Sequence, residues 1–93
     1  MKNPVILSDR ASNAVRRIVT KTQETSLIGG EEVRKVIINH IKGLAINPEA
    51  DSRKAKFDRL DGNYRSLLVW DYRIYYKIEE SRVVVLDIIL EKK

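Results

Sequence analysis

The chain has 93 residues, 18 basic and 13 acidic, giving a formal net charge of +5 and a pI near 9.6. With no cysteine and one histidine, His40, it excludes disulfides, cysteine-held zinc and a histidine-rich metal cluster, so no cofactor or metal is expected. A basic excess of this size is compatible with a polyanionic partner, and equally with an ordinary solvated surface.

The length predicts one domain spanning residues 1–93. The opening MKNPVILSDRAS has one lysine and an apolar run too short for a signal peptide. No run approaches the ~20 apolar residues of a membrane span. The expected location is the cytoplasm, with no membrane partner. NPVIL opens on a proline, as a first or edge strand can. Ser8 or Asp9 then offers an oxygen to cap a helix. Ala11, Ala14, Val15, Ile18 and Val19 form one helical stripe, with Arg10, Arg16, Arg17 and Lys21 largely off it; Arg16, Arg17 and Lys21 read as a solvated face, with a binding face as the alternative. This helix should fade between Thr22 and Ser26.

Gly29-Gly30 breaks the chain as a helix-hairpin turn. It is no phosphate loop, because strand–GxxxxGK–helix context is lacking. Glu31 and Glu32 suit the positive end of a second helix. Its stripe is Val33, Val36, Ile37, His40, Ile41 and Leu44, and Asn47-Pro48 ends it. A lone histidine there is expected to pack or lie half-exposed. NPEADSRKAK reads as a polar surface loop. Then the period changes: KFDRL is a short strand candidate, Asp61-Gly62-Asn63 is turn chemistry, and YRSLLVW and YRIYYKI follow around a tight bend at Trp70-Asp71. After a turn at Glu80-Ser81, RVVVLDIIL is a β-branched strand.

Helices first and hairpin-linked strands second imply an α+β fold. An N-terminal strand and a helical hairpin pack on a mostly antiparallel sheet of about four to five strands. The helices cover one sheet face and leave the other at least partly open as a binding platform. Alternation sends Tyr72, Ile74, Tyr76 and Ile78 to the covered face, and Arg73, Tyr75 and Lys77 to the open one. Such a mixture can stack on bases and neutralise phosphates, or bind an acidic peptide. The face of Arg65 depends on loop length: a two-residue loop sets it beside Tyr76, and one residue more moves it to the side of Arg73. Either arginine could instead pair with Asp58, Asp61 or Asp71 and merely hold a hairpin. Trp70 is expected to fill a core corner, with an interface anchor as the alternative.

The order of pieces resembles the RelE/ParE superfamily of bacterial type II toxins. The matching pieces are Asn47-Pro48, LDGNYR from Leu60 to Arg65, DYRIYY from Asp71 to Tyr76, and VVVLDII from Val83 to Ile89. The resemblance spans nearly the whole chain. It implies a small toxin, linked to plasmid stabilisation and neutralised by a cognate antitoxin whose extended segment wraps it. RelE-like members cleave mRNA on the ribosome without a metal; ParE-like members inhibit DNA gyrase. Under the RelE-like reading the catalytic residues are Arg65, Arg73 and Lys93. More broadly, Arg65, Arg73, Tyr75, Lys77, Lys92 and Lys93 are the residues expected to contact the target or a nucleic acid. Leu67 falls where a second catalytic lysine would stand, and the late tyrosine of RelE-like members has no counterpart before the sequence ends. Arginine is a poor proton carrier. The wording YRSLLV…YRIYYKI is closer to ParE-like sequences, so a gyrase inhibitor is the expected activity. A metal-independent ribonuclease and a non-toxic peptide-binding relative remain as alternatives.

Overall fold

A computed structural model describes residues 4–25, 29–46, 53–54 and 63–91. Their elements are β1 (Val5–Leu7), α1 (Asp9–Thr25), α2 (Gly30–Gly43), β2 (Arg53–Lys54), β3 (Asn63–Val69), β4 (Tyr72–Ile78) and β5 (Val83–Leu90). The strands form one five-stranded sheet in the order β1-β5-β4-β3-β2. β2, β3, β4 and β5 pair antiparallel with their neighbours. β1 joins β5 in parallel, with Val5 opposite Val83 and Leu7 opposite Val85. The parallel pair is allowed because both helices and three strands lie between its members.

The turn into α1 shows how sequence sets local structure. Ser8, rather than Asp9, is the cap: its Oγ accepts the Ala11 N–H at 3.1 Å and donates to the Leu86 carbonyl at 2.9 Å. The Ser8 N–H also donates to the Val85 carbonyl at 2.9 Å. One short side chain therefore starts the helix and ties it to β5. Ser8→Ala is expected to cost about 1–2 kcal/mol in a denaturant titration, while Ser8→Thr, which keeps both roles, should cost less.

The apolar stripe of α1 is buried at Ala11, Ala14, Val15 and Ile18, and that of α2 at Val33, Ile37, Ile41 and Leu44. Both pack on the sheet face formed by Leu67, Val69, Ile74, Tyr76, Val83, Val85 and Ile88. α1 lies against α2 and β5, and α2 reaches β3. His40 departs from the expected stripe. It is exposed, with Nδ1 2.8 Å from the Val36 carbonyl oxygen. The buried stripe is centred between Val33 and Ile41, and a residue seven past Val33 sits at its margin.

Two strand features differ from the sequence reading. Arg53 and Lys54, expected in a loop, pair with Ser66 and Arg65 as a short edge strand. The proposed strand KFDRL lies outside the described residues, as does Asn47-Pro48. In β5 a bulge sets Tyr75 opposite Asp87 but Tyr76 opposite Val85, leaving Leu86 as the extra residue. Strict alternation from Val83 would have turned Asp87 inward. The bulge instead turns Ile88 into the core, at 3% exposure.

Candidate functional site on the open sheet face

The β3–β4 loop has two residues, with Val69 opposite Tyr72 and Arg65 opposite Tyr76. Tyr76 is fully buried against the helices, so Arg65 belongs to the helix side of the sheet. Its Nε donates to Asn63 Oδ1 at 3.2 Å. Arg73 belongs to the opposite face. The two arginines are therefore not brought together.

Cross-strand register builds the open face in rows. Leu68, Arg73 and Ile89 form one; Ser66, Tyr75 and Asp87 the next; Tyr64, Lys77 and Val84 the third. In the first row, Arg73 Nε donates to Glu91 Oε2 at 2.7 Å and Nη2 to Glu91 Oε1 at 2.9 Å, a bidentate pair. Arg73 Nη1 reaches Ser66 Oγ at 3.4 Å. The hydrogen bond to Glu91 raises the Arg73 pKa above the ordinary arginine value, against the opposing effect of burial. Arg73 is thus a fixed cation whose charge is matched. The carboxylate comes from Glu91, which the sequence reading did not consider; it looked to Asp58, Asp61 or Asp71. Glu91 follows Ile89 by two positions on the same face, diagonal to Arg73, so knowledge of the β5 bulge would have exposed the pairing.

At the far end, Lys77 Nζ lies 5.4 Å from the Tyr64 ring centroid and 3.7 Å from Glu79 Oε2. Glu79 also pairs with Arg82. The Arg82 hydrogen bond, ahead of the charges of Arg82 and Lys77, holds the Glu79 carboxyl below its ordinary value of 4.5. A lowered folded pKa means stabilisation present above the unfolded value and lost as pH falls through the folded one. NMR titration should place the Glu79 midpoint below 4.5, and Arg82→Ala should move it upward.

Around the first row the surface is apolar. Leu68 is 43% exposed, Ile89 49% and Trp70 49%. Trp70 stands at the hairpin tip with φ 55, a left-handed conformation that costs a bulky residue about 1–2 kcal/mol. The expected packing of Trp70 into a core corner is not what the structure has: the two-residue turn carries it out of the sheet. Leu67, where the resemblance would put a lysine, is buried beside Ile74. Lys92 and Lys93 lie outside the described residues. Arg16, Arg17, Thr20, Lys21 and Glu24 line a shallow hollow on the outer face of α1, remote in sequence from the sheet rows. Among the described residues, no group of three or more His, Asp or Glu side chains is placed to hold a metal, and no helix is long and apolar enough to cross a membrane.

A helical hairpin on one face of a β1-β5-β4-β3-β2 sheet is the RelE/ParE-like α+β architecture. Solved structures agree. The chain superposes with TM-score 0.78 on a structure of the chromosomal ParDE toxin–antitoxin system from P. aeruginosa, at 16% identity and 98% coverage of both chains. It matches the RelBE2 toxin–antitoxin complex from Mycobacterium tuberculosis with TM-score 0.71, at 13% identity over 98% of this chain and 100% of that one. It matches the YoeB dimer from Staphylococcus aureus with TM-score 0.65, at 15% identity over 100% and 99%. No curated protein sequence matches the chain. The family model described as the ParE toxin of the type II toxin–antitoxin system parDE matches residues 5–92. The chain belongs to this ParE toxin family, and it is the toxin component of a type II toxin–antitoxin system.

Proposed function

We propose that this toxin acts in the cytoplasm by binding DNA gyrase through its open sheet face, and that a cognate antitoxin neutralises it. The observation that carries this reading is the group of exposed apolar side chains around Arg73, namely Leu68, Ile89 and Trp70. Phosphodiester cleavage needs a cation offered to the phosphate, together with a proton acceptor and donor. Here the guanidinium stays protonated, so it can neither take up nor release the proton such a step requires. The surrounding Leu68, Ile89 and Trp70 suit a protein partner, because exposed tryptophan and apolar side chains anchor such contacts. Arg73, Tyr75 and Lys77 supply the polar part of the surface, with Lys92 and Lys93 following directly in the sequence. Arg65, on the helix side, stands outside it.

A purified-gyrase supercoiling assay tests the reading. Inhibition at stoichiometric excess of toxin is expected; unimpaired supercoiling there would reject gyrase as the target. The alternative of ribosome-dependent mRNA cleavage draws on the Tyr64–Lys77 contact beside Tyr75, an aromatic and cationic arrangement suited to single-stranded nucleic acid. Codon-phased mRNA cuts after induction, lost on Arg73→Ala, would establish it in place of gyrase inhibition.

A further inference from the structure

The Arg73–Glu91 pair is asymmetric in how its members are held. Arg73 is the second residue of β4, the central strand of the sheet; its backbone is flanked by paired strands on both sides, opposite Leu68 and Ile89, and its side chain is 15% exposed. Glu91 lies just past the end of β5 and is 41% exposed; its backbone N–H bonds to the Asp71 carbonyl. Strand ends open far more readily than sheet centres. The arginine is a fixed receptor, and the carboxylate is the member that can leave.

We propose that Arg73 and Ser66 form a carboxylate-recognition site that Glu91 fills from within the chain, and that an acidic side chain from an extended segment of a partner protein takes it over. The proposal rests on the reading above that the open face meets a protein. Three observations identify the ligand. The guanidinium already presents two parallel N–H groups to a planar carboxylate, at 2.7 and 2.9 Å. Leu68 and Ile89 flank Arg73 in the same cross-strand row, and both are exposed. They would receive apolar side chains on either side of one acidic residue. Asp71 and Glu91 stand at the end of the open face, while Asp87, one row away, has the Arg10 guanidinium 3.9 Å from its carboxylate. A nucleic acid, with a phosphate on every nucleotide, would meet that acidic group unfavourably, whereas a segment carrying a single carboxylate would not.

Glu91 then acts as a built-in competitor. The apparent affinity for an outside carboxylate falls by the fraction of time Glu91 is away. The test uses the whole chain and needs no gyrase, so its outcome is separate from that of the supercoiling assay. The Arg73 Nε–Hε resonance is followed by NMR while a capped pentapeptide, one glutamate between apolar residues, is titrated in. Its glutamine counterpart and a hexauridylate oligonucleotide serve as comparisons. With about one chain in ten open, the glutamate peptide should bind Glu91→Gln about tenfold more tightly than the unaltered chain. The glutamine peptide should leave the Arg73 resonance in place. Glu91→Ala, which removes the remaining amide oxygen, should repeat the gain and guards against a folding defect in the first variant. Equal affinity for the altered and unaltered chains, equal binding of the two peptides, or tighter binding of the oligonucleotide than of the glutamate peptide would each overturn the proposal.

Discussion

Tyr76→Ala is expected to destabilise the chain by about 3–5 kcal/mol, the range for emptying a large aromatic site in a core. Tyr76 has no exposed surface and is the largest fully buried side chain. It sits in the central strand β4, opposite Arg65 on β3 and Val85 on β5, at the step where β5 bulges. A domain of this length has a total stability of about 5–14 kcal/mol, so the loss takes a large share of it. No buried side-chain nitrogen or oxygen among the described residues lacks a partner, the Tyr76 hydroxyl included. Tyr76→Phe keeps the ring and gives up only that hydrogen bond, so it should cost about 1–3 kcal/mol. Urea titration of both variants checks the order. Similar small losses in the two would mean that the ring does not anchor the core.

Gly30→Val is the second large effect, and it acts where the two helices meet. A Cβ on Gly30 would stand 2.8 Å from the Val19 carbonyl oxygen and 2.6 Å from Gln23 Cγ. The glutamine can swing aside, but the carbonyl belongs to α1 itself and moves only with the helix. Separating the hairpin at this point should cost about 1–3 kcal/mol. Gly43, the last residue of α2, is the control, because its Cβ would meet nothing within 4 Å. Gly43→Ala should instead stabilise the chain by about 0.4–1 kcal/mol through the unfolded state. Thermal melts of the pair should therefore shift in opposite directions. The same sign for both would contradict the close helix crossing.

What could be read in the sequence follows from which forces are local. The stripes of α1 and α2 were legible because helical burial repeats every three to four residues, and each helix buries one continuous face. The faces of β4 were legible for the same reason at period two: Ile74 and Tyr76 are buried, while Arg73, Tyr75 and Lys77 take the other side. Arg65 was not legible, because its face turned on a single loop residue. The structure settles it through the Val69–Tyr72 pair. The β5 bulge left no composition signal, and without it Glu91 could not be matched to Arg73. Trp70 was misjudged because its exposure comes from a left-handed turn residue, where glycine or asparagine would be the usual signal. The toxin family was legible in the order of its motifs. The state of its central arginine, held by a carboxylate, was not.

The most direct measurement asks whether the open sheet face is the one that meets the target. The chain has no cysteine, so single-cysteine variants report on chosen positions without interference. Ile89→Cys places a thiol beside Arg73 on the open face, and Arg16→Cys places one on the outer face of α1. Alkylation rates are compared with and without excess DNA gyrase. Gyrase should slow alkylation at position 89 at least tenfold and leave position 16 unchanged. Protection at position 16 with position 89 still reactive would contradict the account.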